Sequence, residues 1–120
     1  MHVLLVIAHG SRRCESNNEI RQFVKNIAQH GRNAFDSTRV AFLELAEPSI
    51  ETAVDECVHD GASQITVVPY FLSAGYHVAR DVPEILAAKQ TQYAKVPINT
   101  KAYIGRSAEM IDLVIDAALD

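Results

Sequence analysis

Four times along the chain, a short apolar run rich in β-branched residues gives way to a stretch whose apolar residues recur at helical spacing. The runs at 3–7, 38–45, 65–69 and 96–103 read as strands. The first, Val3-Leu4-Leu5-Val6-Ile7, is apolar without alternation, as expected of a strand covered on both faces. Ile65-Thr66-Val67-Val68-Pro69 is the most β-branched segment. Ile20, Phe23, Val24, Ile27 and Ala28 repeat with the period of a helix. A capping box at Ser16-Asn17-Asn18-Glu19 would open that helix, and His30-Gly31 would close it. Pro48 suits the first turn of a second helix. Its inner face would be Ile50, Ala53, Val54, Cys57 and Val58, and Gly61 would end it. Residues 69–76 form an irregular loop. A third helix is expected to begin between 78 and 84, with Asp81 or Pro83 near its first turn. Residues 108–119 form the last helix. Pro97 marks the fourth strand as an edge or as late-starting.

Strands separated by helices run parallel and are joined by right-handed crossovers, with helices on both faces of the sheet. The expected fold is therefore α/β: one domain spanning residues 1–120, with a flavodoxin-like four-stranded parallel sheet in the order 2-1-3-4. A chain of 120 residues has the size of a single domain. Ligands of such sheets bind beyond the carboxyl ends of the strands, where the chain direction across the sheet reverses. In this order that point lies between strands 1 and 3.

Composition removes several functional classes. No apolar run approaches the ~18 residues of a membrane span, and the apolar start reads as a strand rather than a leader. The formal net charge is −4 and no Lys/Arg run stands out, so nucleic acid is not an expected partner. Cys14 and Cys57 form no CxxC pair. They point to a reducing compartment, taken here as the cytoplasm, rather than to a disulfide framework.

The residues just beyond the strands carry the chemistry. His9 follows strand 1, Glu44 ends strand 2, and His77 follows strand 3 after its loop. All three belong to the same carboxyl edge. Two imidazoles and a carboxylate suit a first-row divalent metal, and an incomplete protein shell leaves positions for a substrate. The bland alternative is three unrelated polar residues, because no local spacing links them. His2, His30 and His59 lie near the terminus or at helix ends, where a cation complements the helix dipole. Ser11, Arg12 and Arg13 form either a solvated loop or an anion-recognising one. Neither Ser11 nor Ser73 lies in a nucleophile elbow. Gly10 and Gly75 are either turn residues or points of close backbone approach to a flat ligand.

Three segments in order, Ala8-His9-Gly10-Ser11-Arg12, Phe42-Leu43-Glu44-Leu45-Ala46-Glu47-Pro48 and Val68-Pro69-Tyr70-Phe71-Leu72-Ser73-Ala74-Gly75-Tyr76-His77, followed by Asp81-Val82-Pro83, resemble the small CbiX-type sirohydrochlorin chelatases. These are class II chelatases, a group that includes the ferrochelatases. The resemblance runs from about residue 3 to residue 86. It implies ATP-independent insertion of cobalt, iron or nickel into sirohydrochlorin, a tetrapyrrole bearing many carboxylates, in cobalamin or sirohaem synthesis. Cobalt is the first expectation. The absence of a histidine-rich stretch found in some archaeal members weakens nickel. No permanently bound cofactor is implied, because the divalent metal is a substrate. Longer members hold two such domains, and short ones are expected to pair as homodimers. The family's metal site maps onto His9 and His77, with Glu44 as the acidic member.

On that reading the imidazoles of His9 and His77 hold the incoming ion, and Glu44 or a released histidine accepts the pyrrole protons. Phe42, Leu43, Phe71, Leu72 and Tyr76 would bracket the macrocycle, or serve as plain core. Ser11, Ser73 and Gly75 would approach it from the loops. Arg12, Arg13 and Arg80 would meet its carboxylates. A non-catalytic metal carrier or tetrapyrrole-binding module would share these residues. A phosphate-binding α/β domain would need a glycine-rich fingerprint or a P-loop lysine, and neither is present. A flavodoxin-like regulatory domain would need an acid cluster after strand 1, where His9 stands.

Overall fold

In a computed structural model of the protein the backbone of every residue is described, and the side chain of His77 lies outside the described residues. The chain alternates β1 (His2–Ala8), α1 (Cys14–Gln29), β2 (Ser37–Phe42), α2 (Ile50–His59), β3 (Gln64–Pro69), α3 (Tyr76–Gln92), β4 (Ile98–Thr100), a 3-10 turn η1 (Ile104–Arg106) and α4 (Glu109–Leu119). The strands form one sheet in the order β2-β1-β3-β4, every pair parallel. This is the expected topology. It places β1 at the centre, and Val3 to Ala8 are all buried. No helix is long and apolar enough to cross a membrane.

The two faces of the sheet are covered differently. Val3, Leu5, Ile7, Ile65 and Val67 pack under α2 and α3 with Ile50, Ala53, Val54, Cys57, Val82 and Leu86. Leu4 and Val6 face the other way and meet Val24 of α1, with Ile20, Ile27, Phe35, Val40, Val68 and Tyr70 partly buried around them. Alternation along β1 thus serves two cores, which is why its sequence shows no polar positions.

Where the boundaries differ from expectation, tertiary contacts explain the shift. Helix α1 begins at Cys14, ahead of the capping box; Arg13 is its N-cap and no side chain caps it. Ser11 Oγ accepts the Arg13 N–H instead (3.1 Å). Strand β2 stops at Phe42 because the chain turns at Leu45, which has φ 64°. Pro48 precedes α2 rather than entering it: Ser49 is the N-cap, its hydroxyl accepting the Thr52 N–H at 3.1 Å. Ala28 is exposed rather than on the inner face of α1. Helix α3 begins at Tyr76, so Pro83 lies inside it. An interior proline removes one helical hydrogen bond, and the burial of Val82 and Leu86 on either side of Pro83 outweighs that loss. Strand β4 is an edge and shorter than expected. The Gln90 amide takes the Ile98 N–H (2.7 Å) and the Val96 carbonyl (2.9 Å), so a side chain replaces backbone pairing there.

Asp55 joins α2 to α3. Its Oδ1 accepts from Lys89 Nζ at 2.8 Å and from the Tyr93 hydroxyl at 2.6 Å. The Lys89 bond, then the Tyr93 bond, holds the Asp55 carboxyl below the usual aspartate range, and the same contact raises the Tyr93 phenol. Asp55 is 44% exposed, so solvent screens the pair and its worth is about 0.5–1 kcal/mol. Asp55→Asn is expected to lower Tm by about 2–5 °C at neutral pH. The folded pKa lies below the unfolded one, so this stabilisation is present above the ordinary aspartate range and is lost as pH falls below about 4. Thermal melts of the two proteins should therefore converge in acid; a constant gap down to the lowest pH would refute the assignment.

Candidate functional site

The register of β1 against β2 builds the site. Ala8 pairs with Phe42 at the last ladder position, and two further backbone bonds carry the pairing beyond both strands. Leu43 N–H donates to the Ala8 carbonyl (2.9 Å), and Glu44 N–H donates to the His9 carbonyl (3.0 Å). Positions 9 and 44 are thereby held side by side at the carboxyl edge. His9 Nε2 lies 3.0 Å from Glu44 Oε1. Both side chains are about half exposed, at 53% and 56%.

Gly10 makes this approach possible. Its φ is +95°, and a Cβ placed there would sit 1.7 Å from the Glu44 carbonyl oxygen. Only glycine tolerates both the dihedral and the contact. From Gly10 the chain turns into the Ser11–Arg13 loop, which Asn17 clamps from below. Asn17 Oδ1 accepts the Ser11 N–H at 2.9 Å and Nδ2 donates to the Ser11 carbonyl at 2.7 Å. Asn17 is only 6% exposed. Sequence reasoning placed it in a capping box and missed this role; an asparagine facing the sheet from the first turns of α1 was the available signal.

On the other side, Phe71 follows β3 and is 8% exposed. The His9 ring meets its edge, with centroids 6.3 Å apart and planes at 88°. Phe71 therefore orients the imidazole from the core. Beyond it, Leu72 and Tyr76 are 71% and 74% exposed. The loop carrying Leu72, between β3 and α3, is braced by η1. Gly105 N–H donates to the Phe71 carbonyl (2.9 Å), and a Cβ at Gly105 would fall 1.8 Å from the Leu72 carbonyl oxygen. No strand or motif signal pointed to this support.

A cleft of about 560 Å³ opens beside the pair, lined by His9, Leu43 and Glu44 together with Asp81, Glu84 and Ile85 of α3. Its size falls within the range of small-molecule sites. His77 is the second residue of α3, one turn before Asp81 on the same helix. Its expected role as the second imidazole falls on a side chain outside the described residues. Among the described residues no third His, Cys, Asp or Glu completes a metal-holding group.

The remaining expected positions divide. Leu43 is partly buried and on the cleft. Phe42 is fully buried, with the Arg21 guanidinium 5.1 Å over its ring, so it takes the core alternative and not a place on a ligand-facing wall. Ser11 is half-buried with its hydroxyl engaged by the Arg13 N–H. Ser73 and Gly75 are exposed, and Gly75 is the N-cap of α3 with an ordinary φ of −68°. Arg80 stacks 5.1 Å over the Tyr76 ring and bonds Asp81 (3.1 Å), contacts that raise its already high pKa, the Asp81 bond first. Arg13 lies 3.7 Å from Glu15. Arg12 is exposed and makes no ion pair among the described residues.

A neutral imidazole nitrogen and a carboxylate oxygen 3.0 Å apart can share a proton. The same separation suits one ion. Two donors each about 2.1 Å from a metal and at right angles are about 3.0 Å from each other. The CbiX family model matches residues 3–120. The chain belongs to the CbiX family. Over 113 residues it is 34% identical to the chloroplastic sirohydrochlorin ferrochelatase of Arabidopsis thaliana, a match covering 94% of this chain and 49% of that one. The sirohydrochlorin cobaltochelatase of Sulfolobus acidocaldarius is 33% identical over 115 residues, covering 96% of this chain and 88% of its own. The solved structure of the sirohydrochlorin chelatase SirB from Bacillus subtilis subspecies spizizenii, in complex with cobalt, superposes with a TM-score of 0.87 at 32% identity, covering 99% of this chain and 50% of that chain. The chain thus spans about half the length of several relatives it matches and most of the length of others.

Gly10→Ala is expected to push the Glu44 carbonyl away and to lower stability by about 2–4 kcal/mol in urea unfolding; a loss under ~0.5 kcal/mol would show that the close approach is not enforced. Asn17→Ala leaves the half-buried Ser11 N–H and carbonyl without their partner and should cost about 1–2 kcal/mol.

Proposed function

We propose that this CbiX-family chain inserts a divalent metal ion into sirohydrochlorin or a closely similar tetrapyrrole, without ATP, and that it does so in the cytoplasm as a homodimer. The observation that carries the reading is the His9–Glu44 pair, 3.0 Å apart at the carboxyl edge of the sheet and open to a cleft of about 560 Å³. Relatives named as sirohydrochlorin ferrochelatase and cobaltochelatase support the reaction class. The SirB structure with cobalt supports the metal. The unpaired Cys14 and Cys57 fit a reducing compartment.

The chemistry follows from the donor set. A half-exposed imidazole and carboxylate can take up an ion that keeps several of its waters. His9 Nε2 donates its lone pair, Glu44 Oε1 adds charge, and His77 is the proposed second imidazole. The tetrapyrrole nitrogens then displace the remaining ligands. Two pyrrole N–H protons leave as one dication enters, so the charge on the macrocycle is unchanged. Glu44 accepts the first proton, since its carboxylate loses its metal partner at that step, and a histidine released from the metal accepts the second. The Phe71 edge keeps the His9 ring from following the departing ion.

Leu43 on the cleft, with the exposed Leu72 on the braced loop and Tyr76 at the start of α3, provides apolar contact for the macrocycle. Ser11, Ser73 and Gly75 are proposed to approach it from the loops. Arg12 is the first candidate for the substrate carboxylates, because Arg13 and Arg80 already lie beside Glu15 and Asp81. No group is permanently bound in this scheme; the metal is a substrate, with cobalt expected to be used best, ahead of iron and nickel.

Insertion followed by absorbance with each of the three metals tests the reading. His9→Ala should lower the rate at least about 100-fold (a barrier increase of about 2.7 kcal/mol), and normal rates in both His9→Ala and His77→Ala would sink the assignment. Glu44→Gln should retain part of the cobalt binding seen by titration calorimetry while slowing insertion about 10–100-fold. Unchanged kinetics would remove the proton-acceptor role.

A further inference from the structure

Glu44 does not stand on a strand. It lies in the loop of residues 43–49 between β2 and α2. One end of this loop is tied to β1 by the Leu43 and Glu44 N–H groups. Its neck is closed where the Phe42 N–H donates to the Pro48 carbonyl at 2.9 Å. Between these points the chain turns through Leu45, whose φ of 64° is costly for a residue with a side chain. Leu45 and Glu47 are exposed and Ala46 is only partly buried, so little apolar packing stiffens the turn. A segment with few buried contacts opens locally at small cost.

Arg21 supplies a further hold from α1. Its Nη2 donates to the Glu47 carbonyl at 2.8 Å, its Nη1 donates to Asn18 Oδ1 at 2.9 Å, and its guanidinium carbon lies 5.1 Å from the centre of the Phe42 ring. Three contacts fix a planar group in both position and orientation. Asn18, one turn earlier on α1, steers one nitrogen; the ring supports the plane; the other nitrogen is left for Glu47. Phe42 is fully buried and pairs with Ala8 in the ladder, so that support is part of the sheet. Besides His9, Arg21 is the only side chain outside the loop, among the described residues, that bonds residues 43–47. It makes no ion pair among the described residues. Its charge is directed at a backbone carbonyl and an amide oxygen, and a charged donor makes the stronger hydrogen bond.

We propose that Arg21 is a positioning residue for the His9–Glu44 pair: by pinning Glu47 against the Phe42 ring it holds the turn at Leu45, and so keeps the Glu44 carboxylate 3.0 Å from His9 Nε2. The inference rests on the function proposed above and adds what fixes its acidic donor. Only Leu45 and Ala46 separate Glu44 from Glu47, so a displacement of one reaches the other through two peptide units. Without Arg21 the Glu44 N–H bond is the last of its ladder, and the turn is free to peel from its outer end. The neighbouring loop is held in the same manner. Asn17 clamps Ser11, which follows His9 and Gly10, and Asn17 and Arg21 are four residues apart on α1, on one face of the helix. One helical face therefore ties down both donor-bearing loops, Asn17 behind His9 and Arg21 behind Glu44. Helix α1 sets the spacing of the pair from below, as the β1–β2 ladder sets it from within the sheet.

The test uses the full 120-residue chain and Arg21→Met, which keeps an apolar stem over Phe42 and removes both N–H donors. Amide hydrogen exchange reads the loop directly. The Glu44 N–H should exchange at least about 10-fold faster in the variant, while the Val6 and Val67 amides in the sheet keep their rates. An unchanged Glu44 rate, or an equal rise at all three amides, would overturn the proposal, since the latter is what a merely structural role produces. Cobalt titration by calorimetry then asks whether Arg21 acts through Glu44. Arg21→Met should weaken cobalt binding at least about 5-fold in the otherwise unaltered chain and less than about 2-fold in a Glu44→Gln background. Equal losses in the two backgrounds would refute the link. Should Arg21→Met fail to fold by circular dichroism, Arg21→Lys is read in its place. It keeps the charge and one donor but lacks the fork that spans Asn18 and Glu47, and the same two comparisons decide. Metal insertion assayed alongside separates the two readings: an unaltered chain that inserts none of the three metals fails the function, while the Glu44 amide still decides the role of Arg21.

Discussion

The parallel pairing of β1 with β2 does not stop where the strands stop. Two more backbone bonds, from Leu43 to Ala8 and from Glu44 to His9, carry it one residue further, and the distance between imidazole and carboxylate is set by that extension. A backbone ladder is a stiff ruler, because each further bond is made by groups already aligned by the one before. The side-chain geometry at 3.0 Å is thus inherited from the core beneath, where Val3 to Ala8 are packed on both faces. Gly10 and Asn17 then free the chain from the ladder at a defined point: one permits the contact with the Glu44 carbonyl, the other ties down Ser11.

Much of this was legible from residues alone. An unbroken apolar run at the first strand required cover on both faces, and the alternation of strand and helix signals then left few topologies. The strand order in turn brought His9 beside Glu44, residues that no local motif connects. The details that escaped the sequence are those in which a distant contact overrides a local preference. Pro83 looked like a helix start because an interior proline is costly, but the burial of Val82 and Leu86 decides where α3 runs. Ser16 looked like a cap, but the Ser11 hydroxyl and the Asn17 amide organise that turn. Phe42 looked like a possible wall of the site and is instead sealed beneath Arg21. The brace from Gly105 to the Leu72 loop joins segments more than thirty residues apart and leaves no pattern in either.

Helix α4 shows a different limit. The sequence reads as a helix there, and the structure shows one with no buried residue and exposed Ile111, Leu113, Val114, Ile115 and Leu119. Periodicity says which face seeks cover; it does not say whose surface provides it.

The openness of the His9–Glu44 pair bears on what kind of metal site it would make under the proposed function. Structural metal sites close a full set of protein donors around the ion, whereas catalytic sites leave positions to water or substrate. Among the described residues this pair has no third donor, and both members are about half exposed. Even with His77 added as the proposed second imidazole, an ion there would keep open positions and exchange readily. That would be a defect in a structural centre and is what the proposed metal insertion requires. Strength of binding and ease of transfer oppose each other here, because every additional protein donor is another bond the tetrapyrrole must displace. A rigid pair on a stiff ladder would reconcile them: the donors are placed in advance, so little ordering would be needed on binding, and few bonds would hold the ion back in the proposed transfer.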